Sequence, residues 1–205
     1  MRRLGRALVA LVIAAPTARA QSDPALAVKL DKPTLLAVNA IIDSARVAKL
    51  PTKPLNDKAL EGAATGADGP KIVAAVRSLS VRMSSARGAL SSTANADEIK
   101  AAVGALEAGV STRDLARVQT ACGKRPVVMP LAVLTDLVGR QVPIPTATTL
   151  VLQLVRSNVK DSELSLYQRN VRADIERGAD PTAAASTRAR GLMQRAGTGN
   201  SKPAQ

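Results

Sequence analysis

Glu107-Ala108-Gly109-Val110-Ser111-Thr112-Arg113-Asp114-Leu115 reads as a helix end, a glycine, an apolar residue, a capping residue and a new helix. Helices commonly end in a residue with left-handed backbone, usually Gly and sometimes Asn, and the apolar residue after it folds back on the last turn. A Ser or Asp oxygen then accepts from free N–H groups of the next helix. Ser111 with Asp114 resembles a capping box, with Asp in place of the usual Glu or Gln. Related turns stand at Gly66-Ala67-Asp68, Asn158-Val159-Lys160-Asp161 and Gly178-Ala179-Asp180-Pro181. Weaker copies stand at Lys49-Leu50-Pro51-Thr52 and Gln141-Val142-Pro143, where Lys and Gln are poor left-handed residues.

Gly66, Gly109, Asn158 and Gly178 are thus the expected structural turns. The residue after each turn is apolar, and Leu137 with Val142 or Leu154 with Val159 has the offset for a contact across the helix end. Six residues past each turn comes Leu55, Ile72, Leu115, Ala147, Leu164 or Ala184, all apolar or small. The chain is therefore expected to be all-α: tandem short helical hairpins in a solenoid-like stack or irregular bundle, with roughly eight or nine helices. Two turn-to-turn spacings match, 49 to 66 and 141 to 158, and two helices per unit give a period near the roughly 34 residues of helical solenoids. The Trp and Tyr signature of the tetratricopeptide repeat is absent.

Outward from the turns, apolar residues recur at helical spacing. Leu35, Val38, Ile42 and Ala45 form one face, with Leu30 and Leu35 placed as a hydrophobic staple around Asp31. Leu55, Ala59 and Ala63 form the next, beside Gly62. Ile72, Val76, Leu79, Met83, Ala86 and Leu90 form the longest stripe. Ser91-Ser92-Thr93-Ala94 reads as a loop that divides the helical domain, 31–196, into halves 31–90 and 95–196. Asn95 with Glu98 can cap the next helix, whose stripe is Ile99, Val103 and Leu106. Val127-Val128-Met129, bracketed by Pro126 and Pro130, is left as loop. Thr146 to Leu154 is β-branched, so a strand competes with a helix there on propensity. Leu164, Tyr167, Val171 and Ile175 are again helical. Residues 21–30 read as a flexible lead-in and 197–205 as a disordered tail.

The N-terminus carries Arg2, Arg3 and Arg6, an apolar run from Ala7 to Ala15, and Ala18-Arg19-Ala20. This is the pattern of a secretory signal peptide over residues 1–20, with cleavage between Ala20 and Gln21. The run is short of the about 20 apolar residues that span a membrane, and no later segment is long and apolar enough to do so. The expected location is outside the cytoplasm, periplasmic or secreted. Losing the four arginines of residues 1–20 lowers the formal charge from +13 to +9. Such a basic surface favours anionic partners, although the basic residues are spread rather than clustered.

The inventory is narrow: no His, no Phe, no Trp, one Tyr and one Cys, Cys122. Without His there is no Ser-His-Asp or Cys-His nucleophile system and no His-ligated zinc. One Cys supports neither a thiolate cluster nor an internal disulfide, and it reads as a small buried apolar residue or a free thiol. No phosphate-binding or dinucleotide-binding glycine motif appears, so no cofactor is expected. Carboxylate pairs remain, but Asp174 and Glu176 point to different sides of a helix, and Asp97 with Glu98 is explained by capping. Nucleic acid is an unexpected partner, since the stacking side chains are missing. The reading is an exported, non-catalytic helical binding or scaffold protein for another envelope protein or peptide. The alternative is a basic binder of anionic lipid or polysaccharide, and third comes a carboxylate-based hydrolase.

Overall fold

Ten helices account for nearly all of residues 23–199, the residues that the computed structural model describes. They are α1 (Pro24–Lys29), α2 (Lys32–Val47), α3 (Lys53–Ala64), α4 (Gly69–Ala89), α5 (Ala96–Glu107), α6 (Thr112–Cys122), α7 (Val128–Gly139), α8 (Ile144–Arg156), α9 (Asp161–Glu176) and α10 (Pro181–Gly199). No strand occurs among the described residues, and the protein is all-α. Both Ala20 and Gln21 lie outside them, as do residues 1–22 as a whole and 200–205.

Proline punctuates the starts and left-handed residues the ends. Pro24, Pro33, Pro54, Pro70, Pro145 and Pro181 each occupy one of the first two helical positions, where the missing N–H has no helical partner to lose. At the ends, Lys49, Gly66, Gly109, Gln141, Asn158 and Gly178 have φ of 57°, 70°, 90°, 68°, 56° and 93°. In all six turns the next N–H reaches back to the carbonyl five residues earlier, as Val110 to Ala105 and Val159 to Leu154 do. The left-handed residue's own N–H bonds the carbonyl three residues earlier, as Gly109 to Leu106 does. This double closure answers carbonyls that a helix end leaves free. It also supports Lys49 and Gln141 in a conformation costing a side-chain-bearing residue about 1–2 kcal/mol. Gln141→Gly is therefore expected to raise stability by about 1 kcal/mol, while Gly109→Val and Gly178→Val lower it by at least about 1 kcal/mol. Thermal melting of the three variants checks the sign of each.

Helices pack in two rows. α2, α4, α6, α8 and α10 each pack against the next but one in the chain; α5, α7 and α9 do the same alongside them. α1 packs against α3 at the start of the second row. With no Phe or Trp, the core is Leu, Val, Ile and Ala, joined by Met83, Cys122 and Tyr167, whose hydroxyl donates to the Ala185 carbonyl at 3.1 Å. Two arginines pin successive members of the first row together. The Arg87 guanidinium, at the end of α4, donates to the Lys49 carbonyl after α2 and to Ser92 O, each at 2.7 Å. Arg125, after α6, donates to Val155 O at 2.8 Å and Val159 O at 3.3 Å at the end of α8. Cations at helix C-termini are favoured by the exposed carbonyls and the helix dipole.

Several expectations change. Residues 24–29, read as flexible lead-in, form α1, because Asp23 caps it and Leu26 is fully buried. α7 begins at Val128 rather than after Pro130, since a proline in the first turn forfeits no helical hydrogen bond. Asp161 is the first residue of α9 and not its cap; Glu163 reaches back to accept from Lys160 N–H at 2.9 Å. α10 runs to Gly199, into the stretch expected as tail. The 91–94 loop does not separate two cores, because α4 packs on α5 and α6 across it and the buried apolar set is continuous. Thr146–Leu154 is helical: α8 is buried against α6, α7 and α10, and that packing outweighs β propensity.

Candidate functional site

α4 is the longest described helix of the first row, at 21 residues, and the row alongside is interrupted beside it. α3 and α5 both pack on α4 but make no substantial contact with each other, whereas α5 packs on α7 and α7 on α9. The interval is a cleft with an apolar floor. Leu79 and Met83 of α4 form its base, Pro51 and Pro54 one wall, and Ile99 and Val103 of α5 the other, around an inner slot of about 60 Å³. Its mouth widens to about 510 Å³ between Lys53, Asp57, Lys58 and Glu61 on one side and Ala96, Asp97 and Lys100 on the other.

A second, shallower hollow of about 650 Å³ lies on the other flank of α5, where Ala101 and Gly104 face Val128, Ala132 and Thr135 of α7. Asp97 and Lys100 line both, so the two hollows adjoin across α5. Gly104 sits mid-helix, where Gly costs about 1 kcal/mol relative to Ala. A Cβ built there meets no atom within 4 Å, so the missing side chain leaves the hollow wider rather than relieving a clash.

The charge around the two hollows is nearly balanced. Lys53 pairs with Asp57 at 2.7 Å and Lys58 with Glu61 at 3.0 Å, while Asp136 holds Arg140 at 2.9 Å. Lys100 and Asp97 make no ion pair among the described residues. Asp97 stands in the first turn of α5, where a carboxylate is favoured by the helix dipole. Glu98 beside it completes the capping box with Asn95 and also accepts from Val127 N–H at 3.4 Å, tying the start of α5 to that of α7.

The remaining sequence candidates lie elsewhere. Gly66, Gly109 and Gly178 follow helices of the second row and Asn158 follows α8 of the first, so they mark two opposite edges of the array and line no common pocket. Asp174 accepts from Arg188 at 2.6 and 2.8 Å, and those bonds hold its carboxyl below the usual carboxylate range. The Arg172 hydrogen bond does the same for Glu176. Both carboxylates are thus held ionised, the opposite of what a general acid needs. Cys122 is buried, and desolvation pushes its thiol up against the lowering effect of Arg125. No group of three metal-ligating side chains occurs among the described residues, and no described helix is long and apolar enough to cross a membrane.

The cleft between α3 and α5 was illegible in the sequence, because it arises from two helices failing to meet. The hollow on the other flank of α5 has one local signal, Gly104, a helix-weakening residue inside an otherwise strong helical stretch. Comparison with protein-family models, curated proteins and solved structures finds no match to this chain.

Proposed function

We propose that this protein is a non-catalytic helical scaffold that holds a segment of another protein in the hollows between α3, α5 and α7. The carrying observation is the pair of adjoining hollows that flank α5, the first with an apolar floor and the second left open by Gly104. Stacked helices commonly bind partners along an extended surface, and hollows of this kind take apolar anchors at the i, i+3, i+4 spacing of an amphipathic helix. Near-balance of charge at the rim favours a peptide over anionic lipid or polysaccharide, which would be drawn to unpaired cations. The signal-peptide pattern of residues 1–20 favours a partner outside the cytoplasm, in the cell envelope or beyond.

A photocrosslinking side chain at Lys100, in protein exposed to envelope extract, tests the reading. Capture of a protein at high salt, lost in Gly104→Leu, supports it. Leu favours the helix over Gly and fills the open hollow, so the variant should fold as well as the parent or better. Retention only on lipid or polysaccharide, fading as salt rises, transfers the assignment to a charge-held surface binder. Turnover of a substrate that is abolished by changing one Asp or Glu overturns both.

A further inference from the structure

The cleft between the last two helices mixes polar side chains, Glu163, Asn170, Asp174, Arg188 and Arg195, with Leu166, Tyr167 and Leu192. Exposed apolar side chains are concentrated instead at the other end of the array. Val28, Leu36 and Val47, three of the five large apolar side chains exposed among the described residues, lie on α1 and α2. The buried stripe of α2, Thr34, Val38, Ile42 and Ala45, serves the core, and α2 packs chiefly on α4. On the opposite side run Pro33, Leu36, Ala37, Ala40, Ser44 and Val47, with Leu36 63% and Val47 86% exposed. Steps of four and three residues from Pro33 through Ala37, Ala40 and Ser44 to Val47 are those of a helix–helix seam. The Ser44 hydroxyl donates to the Ala40 carbonyl of its own helix at 2.9 Å, so it makes no polar demand on a neighbour.

We infer that this face of α2 pairs with α2 of a second copy of the chain, antiparallel and centred on Ala40. Pro33, Leu36, Ala40, Ser44 and Val47 map onto one another in that register, as a two-fold interface requires, while Ala37 falls opposite Asp43. Leu36 falls opposite Ser44 of the second copy, large against small, and Pro33 opposite Val47. The ends match in charge: Asp31, before α2, falls opposite Lys49, after it, and neither side chain makes an ion pair among the described residues. Six residues a side is far below the roughly 20–30 of a standard interface, so the pair is weak and depends on concentration. The inference is independent of the hollows beside α5, which lie beyond α3.

Sedimentation velocity across a concentration series should show a reversible monomer–dimer equilibrium. Ala40→Glu sets two carboxylates face to face at the two-fold axis and should raise the dissociation constant at least about tenfold, with helix content unchanged by circular dichroism. On mild oxidation Ala40→Cys should crosslink to itself. Leu36→Cys should crosslink to Ser44→Cys in a mixture and not to itself, and Val81→Cys, exposed on α4, should not crosslink. A monomer at every concentration overturns the inference, as does a dimer indifferent to Ala40→Glu. Self-crosslinking of Leu36→Cys rejects the antiparallel register.

Discussion

Replacing Leu131 by Ala is expected to cost about 2–5 kcal/mol, the range for emptying a buried leucine site. Leu131 is fully buried on α7, which packs against α5, α8 and α9 together, so few neighbours can shift inward to fill the space. In a chain of this length each kcal/mol lowers Tm by about 2–4 °C. The control is Leu36→Ala: its side chain is 63% exposed, and its loss should change stability by no more than about 0.5 kcal/mol at a concentration where the protein is monomeric. Equal shifts in the two variants would contradict the packing described. Because stability in stacked helices is a sum of neighbouring interfaces, Leu131→Ala should also unfold less cooperatively, with amides of α2 and α4 keeping their hydrogen-exchange protection longest.

Gly69→Val is the second substitution expected to have a large effect, at roughly 2 kcal/mol or more from overpacking. Gly69 opens α4, and a Cβ there would land on the Thr34 hydroxyl oxygen of α2, well inside contact distance. Thr34 is only 5% exposed, and a β-branched side chain in a helix has few rotamers into which to retreat. The close approach of α2 to the start of α4 therefore depends on Gly at this position. Thr34→Ala should rescue much of the loss, giving a strongly non-additive double-mutant cycle, whereas Thr34→Val keeps the obstruction and should rescue nothing. Additivity in the Thr34→Ala cycle would mean that the clash is not the cause. Gly62 offers a milder parallel, since its Cβ would stand 2.8 Å from Ile72 Cγ1.

Much of the architecture is legible in the sequence because helix ends are local events. The left-handed residue, the apolar residue behind it and the proline ahead sit within a few positions, and their chemistry needs no distant partner. The all-α class follows from the recurrence of that pattern and from apolar stripes at helical spacing. Where local chemistry was weak or contradictory, tertiary contacts prevailed. α1 is short, yet burial of Leu26 and the Asp23 cap hold it. α8 is rich in β-branched residues, yet it is enclosed by three other helices. Lys49 and Gln141 are unfavourable left-handed residues, yet both turns close with the same pair of backbone hydrogen bonds as the glycine turns.

By its own sequence, then, this chain determined where most of its helices stop and start, which face of most is apolar, and that the usual catalytic side chains are scarce. The tertiary structure alone decided which helices meet. That α3 and α5 stand apart over Leu79 and Met83, and that Arg125 reaches the end of α8, depend on residues tens of positions apart. Periodicity within one helix carries no information about the distance to another. The cleft and the bare face of α2 come from packing in rows, because a row must have ends and gaps that no single helix encodes.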